Sequence, residues 1–212
     1  KTPRILRKGT RTIKNKIAAW RFDKEYYDGK RENGYGGFHY DGRWAKIMPN
    51  IIREYELKAE SSVLDVGSKK GFFMHDLKEA LPEIRIKGVE NHSYPIEQAM
   101  ESVKEDMILC PYEKLPFEDD SFDFVMAFAS IYMLNFSGVL SALREIQRVC
   151  KGTSYVTTGA YRTKEEKELF LEWTLLGTTV LHEDEWLEVF KETGYTGDYF
   201  FTSAKSLHLV RG

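Results

Sequence analysis

The sequence predicts an α/β domain built on a doubly wound, mostly parallel sheet with helices on both faces, and three observations carry that prediction. Apolar runs of strand length alternate with stretches of helical periodicity from residue 61 to residue 193. The first run, SSVLDVG at 61–67, ends in an acid and a glycine, with a second glycine at Gly71. The next run, RIKGVE at 85–90, ends in Glu90, 25 residues after Asp65. In such a sheet ligands bind beyond the carboxyl ends of the strands, at the point where the strand order reverses.

The elements follow in order. Trp44, Ile47, Met48, Ile51 and Tyr55 recur at helical spacing, with Pro49 expected either to kink that helix or to occupy its first turn. After the strand at 61–67, Phe73, Leu77 and Leu81 form one face of a helix that Pro82 helps to stop. The strand at 85–90 is followed by a short helix at 95–104 and a brief strand, MIL, at 107–109. FDFVMAFA at 122–129 is a continuous apolar run and reads as a strand buried on both faces. Val139, Leu143, Ile146 and Cys150 line a helix before the strand SYVTTG at 154–159. Helices near 163–176 and 183–193 come next, the second closed by Gly194. Strand-like segments near 195–202 and 205–211 end the chain and are expected to supply an antiparallel strand.

Composition narrows the class. The chain has 212 residues and a formal net charge of −2, and no apolar run approaches the ~20 residues of a membrane-spanning helix. Two unpatterned cysteines, Cys110 and Cys150, argue for a reducing compartment and a cytoplasmic location. Position 1 is not Met, so the chain is read as processed or cut from something longer. Residues 1–21 hold eight cations and no acid, leaving 23 basic and 33 acidic residues in the remainder. Such an arm can touch nucleic acid, an anionic surface or the acidic body itself. Residues 25–44 set five glycines among Tyr26, Tyr27, Tyr35, Tyr40, Phe38, His39 and Trp44. We divide the chain into an arm and glycine-aromatic lid at 1–42 and a domain at 43–212.

A dinucleotide site wants G-x-G-x-x-G, but the spacing after Asp65 is G-x-x-x-G with Lys69 between the glycines, and no Walker pattern is present. A carboxylate at Glu90 can accept both hydroxyls of a ribose, while Gly67 and Gly71 are expected to let the backbone approach the ligand.

VLDVGSKKGFF at 63–73, VENHS at 89–93 and LPFEDDSFDFVMAFAS at 115–130 resemble, in order, the successive motifs of class I S-adenosylmethionine-dependent methyltransferases. The texture is that of the small-molecule group, and the resemblance covers residues 43–160. It implies a Rossmann-like fold with S-adenosylmethionine as cofactor, and the lack of clustered carboxylates after the fourth strand leads us to expect no metal. By that resemblance Asp65, Gly67, Ser68, Gly71 and Phe72 shape the methionine pocket, with Asp65 near the ammonium. Glu90 would hold the ribose, Asn91 and His92 would border the adenine, and Pro111 and Tyr112 would flank its edge. Relatives often carry an Asp and a small residue where this chain has Pro111 and Tyr112, so backbone groups would replace that carboxylate. Phe128 and Ser130 would lie beneath the sulfonium, and Arg43 would pair with the cofactor's carboxylate or an anionic acceptor.

Methyl transfer to a hydroxyl or a protonated amine gains from a base, and the candidates are His39 and His182. Tyr35, Tyr40, Tyr132, Tyr161 and Arg162 are the candidate acceptor contacts. The fourth strand ends in FASIYML, without the Asn/Asp-Pro-Pro-Tyr/Phe motif of enzymes acting on exocyclic amines, and no Pro-Cys pair or carboxylate cluster follows it. A small-molecule acceptor is the expectation, with a sugar or a secondary-metabolite precursor suggested by the family texture and the aromatic loop. Two other readings stay open: a protein or RNA methyltransferase guided by the basic arm, and a non-catalytic binding or partner module of the same fold.

Overall fold

The structure, a computed structural model, describes residues 2–7 and 9–212; Lys1 and Lys8 of the basic arm lie outside the described residues. The chain opens with β1 (Arg4–Leu6), α1 (Ile13–Ala19), α2 (Lys24–Asp28) and α3 (Met48–Glu54). It continues through β2 (Ser62–Val66), α4 (Phe72–Ala80), β3 (Arg85–Glu90), α5 (Ser93–Glu97), β4 (Met107–Leu109) and β5 (Phe122–Ala127). The remainder is α6 (Phe136–Val149), β6 (Cys150–Tyr161), α7 (Lys164–Trp173), β7 (Val180–His182), α8 (Glu183–Thr193), β8 (Asp198–Thr202) and β9 (Leu209–Arg211). Pro49 sits in the first turn of α3, where its missing N–H costs no helical hydrogen bond.

The main sheet runs β4-β3-β2-β5-β6, with β7 and β8 both on β6. From β2 the order goes outward in both directions, so the reversal lies between β2 and β5, where Asp65 pairs with Met126. Every residue of β2 is buried, as a central parallel strand requires. Its alternate side chains feed two cores. Leu64 joins Val125, Leu143, Ile146 and Trp186 on one face, and Val63 joins Leu77, Ile86, Phe124 and Met126 on the other.

The doubly wound, mostly parallel sheet is as expected, but the C-terminal strands differ from expectation. Both β7 and β8 pair parallel with β6, from Gly159↔Val180 and from Tyr155↔Asp198 respectively. α8 lies between them in sequence and acts as a crossover, which returns the chain in the same direction. The remaining segment, expected at 205–211, leaves this sheet, and its strand β9 pairs parallel with β1 instead. No helix among the described residues is long and apolar enough to cross a membrane.

The N-terminal segment packs against the carboxyl ends of the strands. Tyr26 and Tyr27 of α2 are buried in a third cluster with Ala19, Leu175 and Leu176. The basic arm is drawn onto the body: Arg11 donates to the Trp173 carbonyl and lies 5.0 Å over its ring, and Lys16 Nζ donates to the Leu171 carbonyl at 3.2 Å.

Candidate active site at the strand ends

The loop after β2 is shaped by three left-handed residues, Gly67 (φ 85°), Lys69 (φ 55°) and Gly71 (φ 73°). Gly67 N donates to the Val89 carbonyl at 2.9 Å, tying the loop to β3. A Cβ on Gly67 would collide with the Ser130 side chain, whose hydroxyl is held by the Val66 carbonyl at 2.7 Å. Gly71 serves packing instead of ligand approach. A Cβ there would meet Val103 Cγ2 at 2.7 Å, and its positive φ starts α4.

At the end of β3 the Glu90 carboxylate is 2% exposed and firmly held. Lys69 N donates to Oε2 at 3.0 Å; Asn91 N at 3.0 Å and Tyr112 Oη at 2.8 Å donate to Oε1. Burial raises its pKa, against the pull of these donors and of the Lys69 charge. The oxygens bound a cavity of about 290 Å³ whose walls include Phe22, Tyr27, Gly67, His92, Ser130 and Met133. His92 stacks on Phe22 with ring centroids 4.2 Å apart, making a flat apolar wall. A carboxylate fixed by three donors and facing such a slot is suited to a diol attached to a planar ring.

Asp65 bounds the adjoining cavity, about 140 Å³, with Tyr35, Phe38, Arg43, Trp44, Phe72 and Phe128 among its walls. Burial pushes its carboxyl up to about 7, opposed by the Lys69 charge and reinforced by Glu90. A buried carboxylate with this elevation is poised to receive a cation. Ser68 stands behind it, its hydroxyl on the Asp65 and Val89 carbonyls at 2.8 and 3.2 Å.

The two cavities share Gly67, Lys69 and Ala129. Across that junction lies the Lys69 ammonium, 3.0 Å from the Phe128 carbonyl and 3.4 Å from that of Gly67. In the sequence Lys69 stands out only as a lysine where a dinucleotide motif has glycine, and the left-handed bend that aims its ammonium is visible only in the structure. The next residue, Lys70, is buried, and its ammonium meets Asp28 of α2 at 2.8 Å, an oxygen that Tyr94 Oη also reaches at 2.8 Å. This ties the N-terminal segment directly to the loop, a link the periodicity of the sequence could not show.

The other expected residues divide cleanly. Asn91, His92 and Ser130 line the larger cavity, and Arg43, Tyr35, Phe72 and Phe128 line the smaller. Tyr112 also lines the larger one, but its hydroxyl is committed to Glu90, while Pro111 is exposed and lines neither. Tyr40 donates to Asp76 on α4, and Tyr132 is buried in the core; neither lines either cavity. Arg162 pairs with Glu183 at 2.6 Å, and Lys167 lies 4.6 Å over the Tyr161 ring, so both residues are engaged at the far edge of the sheet. His182 caps α8, accepting from Asp184 N at 3.2 Å, and His39 is exposed on the loop. Neither imidazole lines the two cavities. No group of three or more His, Cys, Asp or Glu residues arranged to hold a metal is found among the described residues.

A reversal point flanked by buried carboxylates on neighbouring strands is the arrangement expected of a class I S-adenosylmethionine-dependent methyltransferase domain. Residues 64–157 match the family model described as "Methyltransferase domain". Among curated proteins the chain resembles the demethylmenaquinone methyltransferase of Thermotoga maritima, 33% identical over 116 residues, covering 54% of this chain and 48% of that protein. The chain thus spans about half the length of that relative. Among solved structures it resembles YcgJ of Bacillus subtilis (TM-score 0.58, 23% identity, 72% of this chain and 68% of that one). It also resembles the [4+2]-cyclase SpnF (TM-score 0.55, 20% identity, 70% and 57%). These two likenesses concern the fold.

Proposed function

We propose that this protein transfers a methyl group from S-adenosylmethionine to a small-molecule acceptor. The observation that carries the proposal is the pair Glu90 and Asp65, two buried carboxylates facing adjoining cavities at the reversal point. When bound, the cofactor would supply an activated methyl group on a cationic sulfur. Glu90 would hold the ribose, with Asn91 and the stacked His92 and Phe22 beside the base. Asp65 would take the ammonium, leaving the Lys69 ammonium to swing from the Phe128 carbonyl toward solvent. The Lys69 ammonium, which stands at the junction of the two cavities, would have to move aside for a ligand spanning both.

The acceptor would approach through the smaller cavity. Trp44 and Phe128, ring centroids 5.0 Å apart, and Phe38 on Phe72 at 4.9 Å would exclude water there. Arg43, bidentate to exposed Asp41 at 2.7 and 2.9 Å, can redirect to an anionic group on the acceptor. With no imidazole on the cavity, catalysis would rest on alignment and desolvation of an acceptor that is already nucleophilic. Segment 26–44 would close over both cavities as a lid.

Incubation of the protein with methyl-labelled cofactor and a metabolite extract tests the proposal. Label should appear in a small molecule; absence of any labelled product, with the demethylated cofactor nevertheless bound tightly, would favour the non-catalytic module.

A further inference from the structure

The smaller cavity is tight for a ligand, since small-molecule pockets span roughly 300–1,000 Å³. Its wall of Trp44, Met126 and Phe128 is at the same time the start of a second depression, about 330 Å³, which runs on between α3 and the β5–β6 face. Ile47 and Ile51 from α3 form one side, and Tyr55, Phe124 and Tyr155 form the other. Tyr55 stacks on Phe124 with centroids 4.1 Å apart, giving this side a flat floor. The lip carries polar Asn50, Arg53 and Glu54, all exposed. Ile47 is 43% and Phe128 41% exposed, so apolar surface faces water along the groove.

We infer that this groove binds the hydrocarbon tail of an amphiphilic acceptor whose reacting head meets the cofactor at the Trp44–Phe128 edge of the smaller cavity. The inference rests on the proposed methyltransferase reading and deepens it. The shared wall decides the occupant: Trp44, Met126 and Phe128 line both spaces, so an acceptor too large for the inner cavity finds apolar surface next to it once the Trp44–Phe128 contact opens. The lining holds no charge to match a charged tail; its charged groups stand only at the lip, where an amphiphile's chain would emerge. A hydrocarbon chain is also the occupant that gains most from covering Ile47 and Phe128.

The test uses 4-n-alkylphenols, from 4-ethylphenol to 4-octylphenol, titrated into the full chain with and without S-adenosylhomocysteine. Affinity should rise about two- to four-fold per added methylene, as expected for partly to fully buried CH₂ groups. Ile47→Asp should flatten that dependence and Ile47→Leu should keep it, while the thermal midpoint and the S-adenosylhomocysteine affinity stay near wild type in both. A flat dependence in the wild type overturns the inference, as does a slope that survives Ile47→Asp. Light scattering that finds a dimer in the wild type and a monomer in Ile47→Asp would assign the groove to a second copy of the chain and also overturn it. Failure of S-adenosylhomocysteine to bind at all would instead refute the cofactor reading, and the chain-length series would still report on the groove.

Discussion

Replacing Asp65 with Asn should make the protein more stable and a poorer binder at the same time, with a pH dependence that follows from burial. The folded-state pKa is about 7 against an ordinary 3.8, and the largest cause is desolvation. Because the folded pKa is raised, the associated stability is fully present below 3.8 and is lost as pH rises through about 7. About three pKa units at roughly 1.4 kcal/mol each set the scale at about 4 kcal/mol. Asn keeps the shape and removes the buried charge, so the stability difference between Asp65→Asn and wild type should grow in the variant's favour from pH 4 to pH 7 and level off above. Groups that do not interact with Asp65 cancel in that difference, which leaves Asp65 and its charged neighbours Lys69 and Glu90. Urea denaturation of both proteins at several pH values reads it directly. Binding should move the opposite way: the variant loses a charged contact to the ligand ammonium, about 1.5–3 kcal/mol, or roughly tenfold to a hundredfold in Kd at pH 8. Wild-type affinity should weaken as pH falls below 7 while the variant's stays flat. A variant destabilised equally at every pH would refute the reasoning, since it would mean that the carboxylate is held by protein partners and does not wait for a cation.

Three further predictions concern the same site. Glu90→Ala should lower stability by about 2–4 kcal/mol, because Lys69 N, Asn91 N and Tyr112 Oη lose their acceptor; Glu90→Gln, which retains one carbonyl, should melt closer to wild type yet bind S-adenosylhomocysteine at least tenfold more weakly by calorimetry. Lys69→Met should remove the competing ammonium at the junction and strengthen the cationic S-adenosylmethionine more than the uncharged-sulfur product, so the ratio of the two Kd values should shift in favour of the cofactor. Hydrogen exchange across residues 26–44 should slow when S-adenosylhomocysteine is added if the segment is a lid; protection that is already complete and unchanged would identify a permanent plug.

Much of this architecture was legible because parallel strands announce themselves locally. The runs at 85–90 and 107–109 and the helix at 183–193 fall where the sequence places them, and Gly194 adopts the left-handed cap expected of it. Helix α5 is shorter than the periodicity at 95–104 suggests; the chain turns after Glu97. The β1–β9 pair was illegible for a different reason: three-residue strands stabilised by partners some 200 residues away leave no local period. At the site, Asp65 and Glu90 could be read from their places at strand ends. The commitment of Tyr112 to Glu90, the remote position of His182 and the Lys69 bridge depend on side-chain direction, which spacing alone does not encode.

The contact between Lys70 and Asp28 bears on modularity. A boundary at residue 43 separates an accessory arm from a self-sufficient domain, but this ion pair crosses it, with the lysine side chain only 8% exposed. A chain trimmed to 43–212 would lose Asp28 together with the α2 aromatics Tyr26 and Tyr27, exposing the loop after β2 and its Lys70 ammonium to water. The loop after β2 is thus tied to α2 as well as to the body of the domain. Grafting this domain onto another protein, or swapping its entrance for a relative's, has to carry Asp28 and Lys70 together as one inherited piece.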